Sequence, residues 1–355
     1  MDIPGRRRTA ARRTAVGVVA LVLMGACSGT EDRGAGVPSR PAPSNASQPA
    51  VQPEVQPEPT TSPYSGREGG VGTPVMVVKY DNTPAAQPHR GLPAADVVYV
   101  EEVEWGLTRI AAVFSTQFPQ RVGPVRSARV SDLDLFAQYG PVAFVYSGAQ
   151  RRLQPAIAAA PWIPVSPEVG SGGFLRERGT GRVAPTNMMA VPEVILEDVG
   201  DRVGLSSDMG WVFDEQRPAG GKLAGSVTAR WPSSRVQLRW NAKKGVWDVW
   251  MHGRPARDTD PPGVQRASTV IVQYVKQTDS GYGDKFGGVT PMVHTVGRGK
   301  GVLLRDGRTY PITWQRPDEQ APTEYLDADG QPISLDPGQV WILLVDRTRP
   351  VTVQR

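Results

Sequence analysis

The sequence predicts an α+β protein: a mixed α/β region followed by a mostly β region, behind an N-terminal segment that does not fold. Three observations carry this reading. Helix-like and strand-like runs alternate between residues 73 and 218. Only strand-like runs occur between 225 and 355. Residues 28–72 carry prolines at 38, 41, 43, 49, 53, 57, 59 and 63 and almost no large apolar side chain, too little to bury a core.

The chain opens with Arg6, Arg7, Arg8, Arg12 and Arg13, then an apolar run from Ala15 to Met24, then Cys27, the only cysteine. That run is too short to span a bilayer and matches a secretory signal over residues 1–26. Met24-Gly25-Ala26-Cys27 resembles a bacterial lipobox, with Met24 where leucine is usual. The resemblance implies cleavage before Cys27, lipidation of its thiol, and a place on the extracytoplasmic face of the cell membrane. Cleavage removes the five arginines and Asp2, which takes the formal net charge from +5 to +1. No basic block remains that could neutralise a run of phosphates, so nucleic acid is not an expected partner. With Cys27 lipidated no thiol is left for a disulfide, and a hydrophobic core must hold the exported body. Residues 27–72 then read as a lipidated, Pro-rich tether. It would reach roughly 140 Å if extended and about 40 Å as a flexible coil.

Folding is expected from Thr73. "PVMVVKY" reads as a buried strand. "ADVVYVEEVEWGLTRIAAVFST" reads as two strands about a tight Trp105-Gly106 turn, which would set Glu102 opposite Arg109 and Glu104 opposite Leu107. "SDLD" fits a helix start with Ser131 as N-cap. "VAFVYSG" is a further strand and "PEVILEDVG" a further helix. After residue 225, "VQLRWNAKKGVWDVWMHG" alternates about an Asn-Ala-Lys-Lys-Gly turn, with Val236, Leu238 and Trp240 on one face. "STVIVQYVK", "GVLLRDGRTYPITW" and "VWILLVD" add strands, and Asp306-Gly307 is a strong hairpin signal.

The stretches "VVKYDN" (77–82), "RGLPAADVVY" (90–99), "EWGLTR" (104–109), "GPVRSAR" (123–129) and "APTN" (184–187) occur in that order. Together they resemble the YerB-like bacterial lipoproteins, a family also called DUF3048, whose activity is not established. The likeness covers about residues 73–350. It implies an extracytoplasmic lipoprotein with an α/β domain at 73–218 and a β-rich domain at 225–355. Two positions depart from the family pattern: Trp105 stands where glycine is favoured, and Thr186 where histidine is frequent.

Catalytic motifs are absent. There is no G-x-S-x-G elbow, no S-x-x-K set and no free thiol. His89, His252 and His294 are far apart, with no metal-binding spacing, and no cofactor motif occurs. "GRGKG" (297–301) does not match a phosphate-binding loop and reads as a turn. Two groups of residues remain as candidates for ligand binding. One joins Arg126 and Arg129 of "GPVRSAR" to Glu102, Glu104 and Arg109. The other is the Gly-rich stretch 170–187 with Arg176, Arg182 and Asn187. Guanidinium forks suit carboxylate or phosphate. The leading expectation is therefore a binding or accessory module for an anionic cell-envelope ligand or envelope protein, rather than an enzyme. Two alternatives stand beside it. One is an envelope glycan hydrolase or lyase using Glu102 and Glu104, with Asp132 as a further acid. The other is a scaffold that docks a membrane protein complex through exposed Trp247, Trp250 or Trp314.

The lipobox yields a direct test. Cys27→Ala is expected to leave the membrane fraction or to remain unprocessed. A mature variant as membrane-bound as wild type after a salt wash would refute lipidation at Cys27.

Overall fold

The computed structural model describes residues 60–284 and 286–355. The signal-like segment, Cys27 and residues 28–59 of the expected tether lie outside the described residues. The described body is α+β and is built on one twelve-stranded sheet. Its centre holds β1 (Met76–Asp81), β2 (Val97–Glu102) and β3 (Thr108–Phe114). Across the sheet the order is Thr269–Gly283, Val340–Asp346, β2, β3, β1, Ala143–Val145, Ile163–Val165. Within this group β3 alone runs antiparallel to its neighbours. Gly297–Arg305, Arg308–Arg316 and Glu324–Leu326 continue the sheet beyond Thr269–Gly283.

The central strands are near-continuous apolar runs because both faces of the sheet are covered. On one face Met76, Val78, Val98, Val100, Trp341 and Leu343 pack beneath a smaller sheet that includes Ser226–Arg230, Arg235–Asn241 and Val246–Met251. On the other, Val77, Tyr99, Ala111 and Ile342 pack beneath α1 (Ser131–Ala137) and α2 (Gln154–Ala159). A third helix, α3 (Pro192–Val199), sets Ile195 and Val199 on the first face. Val340–Asp346 inserts between β2 and Thr269–Gly283, so the regions on either side of residue 220 share one sheet.

Most expected elements are present, and five differ in detail. First, the 102–109 connection is wider than a tight hairpin. A 3-10 turn at Glu104–Gly106 sits inside it, and Val103 N–H bonds Leu107 C=O at 2.8 Å. Register therefore slips by one: Glu101 faces Arg109, and Glu102 faces Thr108. Second, Ser131 is not the N-cap of α1. Its hydroxyl accepts from Val293 N–H and donates to Pro291 C=O, while Asp132 accepts Arg129 N–H at 2.7 Å. Third, "GRGKG" is not a turn but the opening of the strand Gly297–Arg305. Fourth, the expected patch of exposed tryptophans is absent: Trp247 and Trp314 are buried, and Arg239 stacks on Trp250 at 3.5 Å.

Fifth, residues 60–72, expected to be tether, are part of the described body. Tyr64 is fully buried and edge-on to Tyr139, with ring centroids 5.2 Å apart. Its hydroxyl accepts Ser207 N–H, and the neighbouring Ser65 hydroxyl donates to Asp96 at 2.5 Å. An aromatic residue inside a Pro-rich tract thus acts as an anchor. Tyr64→Ala is expected to cost about 3–5 kcal/mol of unfolding free energy, as other large-to-small core truncations do. A denaturation midpoint unchanged from wild type would show that residues 60–72 are tether after all.

Candidate functional site

The apolar character of the α1-covered face ends abruptly at one edge. β1 closes with Lys79-Tyr80-Asp81, β2 with Glu101-Glu102, and β3 opens with Thr108-Arg109. Alternate residues of a strand share a face. Pairing sets Asp81 opposite Arg109, and Arg109 opposite Glu101. These three form one charged row across three strands, with Lys79 two residues behind Asp81.

Lys79 has no solvent exposure. Its Nζ donates to Asp132 Oδ1 at 2.7 Å and to Glu101 Oε1. Burial disfavours the ammonium, but the two carboxylates outweigh it and leave the Lys79 pKa raised. Burial and the nearby Asp132 push Glu101 up, and Lys79 pulls it only part of the way back. Asp132 opens α1, so this cluster ties helix to sheet.

"GPVRSAR" runs alongside β1 like an added strand. Asp81 N–H bonds Pro124 C=O, Arg126 N–H bonds Lys79 C=O, and Ser147 N–H bonds Arg126 C=O. Glycine is required at 123, where φ is +146° and a Cβ would lie 2.8 Å from Met189 Sδ. The segment so fastened aims both arginines at the charged row. Arg126 Nε donates to Asp81 at 3.0 Å. Arg129 donates to Glu104 Oε2 from Nε at 3.0 Å and from Nη2 at 2.7 Å. Arg109 Nη1 lies 3.6 Å from Asp81, while its buried Nε has no partner among the described residues. Burial lowers the Arg109 pKa to about 10, with Arg129 and Arg126 adding repulsion. Burial alone would raise Asp81 and Glu104, but Arg109 holds the first, and Arg129 the second, below its ordinary value.

These groups border a cavity of about 610 Å³ lined by Glu104, Trp105, Arg109, Arg126, Arg129 and Tyr282, among others. It opens beyond the carboxyl ends of the parallel strands, where open α/β sheets commonly bind ligands. Loops after β1, β2 and Ala143–Val145 supply Thr83, Val103–Leu107 and Gln150. The far wall is a hairpin of Thr269–Gly283 and Val289–His294, paired from Lys276 outward. Thr290 donates to Glu104 across this wall. Trp105 sits at φ +62°, a left-handed backbone that favours glycine, with its side chain 57% exposed as a residue. Its indole donates to Asp284 at 2.9 Å and lies so close to Gly288 that a Cβ there would fall 2.4 Å from Nε1. The strained tryptophan thereby bridges the turn to the hairpin tip.

Of the sequence candidates, Arg109, Arg126, Arg129 and Glu104 come together. Glu102 does not join them: it lies in the row of Val98 and Val100, on the opposite face, with Arg349 at 3.8 Å. A Glu102–Glu104 pair facing one cleft is therefore absent, which removes the geometry expected of a two-carboxylate glycan hydrolase. Arg176, Arg182 and Asn187 lie elsewhere too. Arg176 bonds Asn187 at 2.9 Å, while Arg182, with Glu177 at 3.5 Å, lines a separate cavity with Arg90. Lys79, Asp81 and Tyr282 were not singled out as site residues from the sequence. A signal for the first two was present: charged residues at alternate positions closing an otherwise apolar strand. Nothing local marks Tyr282, which arrives from the distant hairpin. Among the described residues no group of three or more His, Cys, Asp or Glu is placed to hold a metal ion.

Comparison with known proteins agrees with this architecture. A family described as "Protein of unknown function (DUF3048) N-terminal domain" matches residues 60–205, and its "C-terminal domain" counterpart matches residues 227–342. The chain belongs to the YerB-like, DUF3048 family. A YerB-like relative named "Putative lipoprotein YerB", from Bacillus subtilis (strain 168), is 39% identical over 89 residues, covering 24% of this chain and 26% of that protein. The crystal structure of YerB protein from Bacillus subtilis shares the fold, with a TM-score of 0.69 at 20% identity over 83% of this chain and 99% of that one. The N-terminal family match begins at residue 60, where the described body begins.

The buried cluster behind the cavity gives a stability test. Lys79→Met removes the cation that bridges Glu101 and Asp132 and is expected to cost about 3–5 kcal/mol, as loss of one partner from a buried ion pair does. Urea unfolding that changed by less than 1 kcal/mol would show that the cluster does not hold α1 to the sheet.

Proposed function

We propose that this YerB-like protein is a lipid-anchored module of the cell envelope. In this reading the cavity at the carboxyl ends of the strands binds an anionic group of an envelope component, a carboxylate or phosphate. The observation that carries the proposal is Arg126. Its side chain is 26% exposed, lines the cavity, and uses only Nε on Asp81. Among the described residues no hydrogen bond engages its two Nη groups. Those groups form the planar fork that pairs with carboxylate or phosphate. Arg129 and Arg109 add charge to the same cavity, and Trp105 and Tyr282 add ring faces for the apolar part of a ligand. The volume is within the usual range for small-ligand sites, about 300–1,000 Å³. The anchor rests on the lipobox at Cys27 and on a homologue that carries the name lipoprotein. Among the described residues no helix is long and apolar enough to cross a membrane.

The two arginines are expected to separate on substitution. Arg126→Gln, which forfeits one hydrogen bond to Asp81, should shift melting little yet abolish the thermal stabilisation given by carboxylate and phosphate ligands. Arg129→Gln should lower the melting temperature by several degrees as well, because Glu104 and the 103–107 turn lose their partner. If both variants melted alike and still responded to ligand as wild type does, the arginines would be internal struts and the cavity would not be an anion site.

A further inference from the structure

The long strand Thr269–Gly283 changes partner part-way along. Gln273 pairs with Gly301, and Lys276 with His294. Between these two registers the strand advances three residues, from 273 to 276, while the returning chain advances seven, from 294 to 301. Surplus chain at Val296–Lys300 borders a cavity of about 660 Å³, the place where "GRGKG" lies. Trp314 borders it too: its indole N–H donates to Tyr274 C=O at 3.0 Å, in the stretch where the strand ladder is interrupted.

The charge of this cavity is one-sided. Lys276, Arg298, Lys300 and Arg347 line it with His294, and no aspartate or glutamate does. All four cations are exposed, and none forms an ion pair among the described residues. The cavity of Arg126 differs, since every arginine there faces a carboxylate. Around this second cavity the glycines at 297 and 299 present backbone without side chains. At 299 the space of the missing side chain is taken by the Trp314 indole, which would lie 2.6 Å from a Cβ there, whereas the space at 297 is open. Four exposed cations about one concave site attract a ligand with several negative charges. A single carboxylate cannot match them.

We propose that this groove is a second binding site, for a soluble polyanionic chain of phosphates. Two guanidiniums supply forks for phosphate oxygens, and two ammoniums supply point charges alongside them. The site is a concave cavity rather than a flat patch, which favours an inserted chain over a flat bilayer surface. The site is independent of the Arg126 cavity and stands whether or not that cavity binds an anion.

The probe is labelled linear inorganic polyphosphate, titrated into the full chain carrying Cys27→Ser, with fluorescence anisotropy as readout. Saturable binding that weakens with salt is expected. An Arg298→Gln, Lys300→Gln double variant should lose at least about tenfold in affinity, a factor equal to about 1.4 kcal/mol. Its melting should be unchanged, because both side chains are exposed. The binding component that the double variant loses should persist in Arg126→Gln. Three results would overturn the proposal. One is equal affinity in the double variant. Another is loss of binding in Arg126→Gln alone, which would move the anion to the other cavity. The last is displacement of the probe by poly-glutamate or by phosphatidylglycerol vesicles at matched charge, which would reassign the groove to carboxylates or to a membrane surface.

Discussion

A wholly buried ammonium fixes much of this molecule. Lys79 sits between Glu101 of the neighbouring strand pair and Asp132 of α1, with the Phe136 ring 6.0 Å away. Desolvating three charges costs several kcal/mol each unless they satisfy one another. The position of α1 over the sheet is therefore tightly specified. Asp132 also accepts the backbone N–H of Arg129, so the same carboxylate orients the segment that carries the site arginines. Outward from Lys79 the charges alternate: Asp81 with Arg109 and Arg126, then Glu104 with Arg129. The rim of the cavity inherits its geometry from that dry interior contact.

The fold was legible where periodicity was strong. The runs around Met76, Val97 and Thr108, the turn at Asn241–Gly245 and the Asp306-Gly307 hairpin all follow from alternation and turn chemistry. The one-residue slip at Glu102 was not legible, because it depends on a 3-10 turn with Trp105 in a left-handed backbone, and no pattern of residue types demands that conformation. Ser131 was misread because its hydroxyl serves a hairpin more than 150 residues away in sequence (the partner is Val293) rather than its own helix. Tyr64 was lost among prolines, since composition averages over a segment while burial is decided by a single ring. For the site, the arginines of "GPVRSAR" were identifiable as donors. Glu104 was grouped with them, but the partner Asp81 was not, because strand register sets it beside Arg109 and Arg126.

The two cavities show how one fold can use arginine in two ways. Near β1 the guanidiniums are partly spent on internal carboxylates, which restrains them and leaves selected nitrogens free. Near Gly297–Arg305 the cations are exposed and form no ion pair among the described residues. The first arrangement suits discrimination among ligands, since a fixed fork accepts few geometries. The second suits capture, since long-range attraction depends on net charge rather than on shape.

The insertion of Val340–Asp346 between β2 and Thr269–Gly283 has a kinetic side. Gln339 donates to Leu92 C=O across 247 residues of chain, and β2 keeps an open edge until that late strand arrives. Pairings of such long range close slowly, because the entropy of looping is spent before any contact rewards it. The β2 edge must therefore wait, unsealed, until the chain has been made as far as Val340–Asp346. A product ending ahead of residue 340 would carry a sticky β edge in place of a folded half.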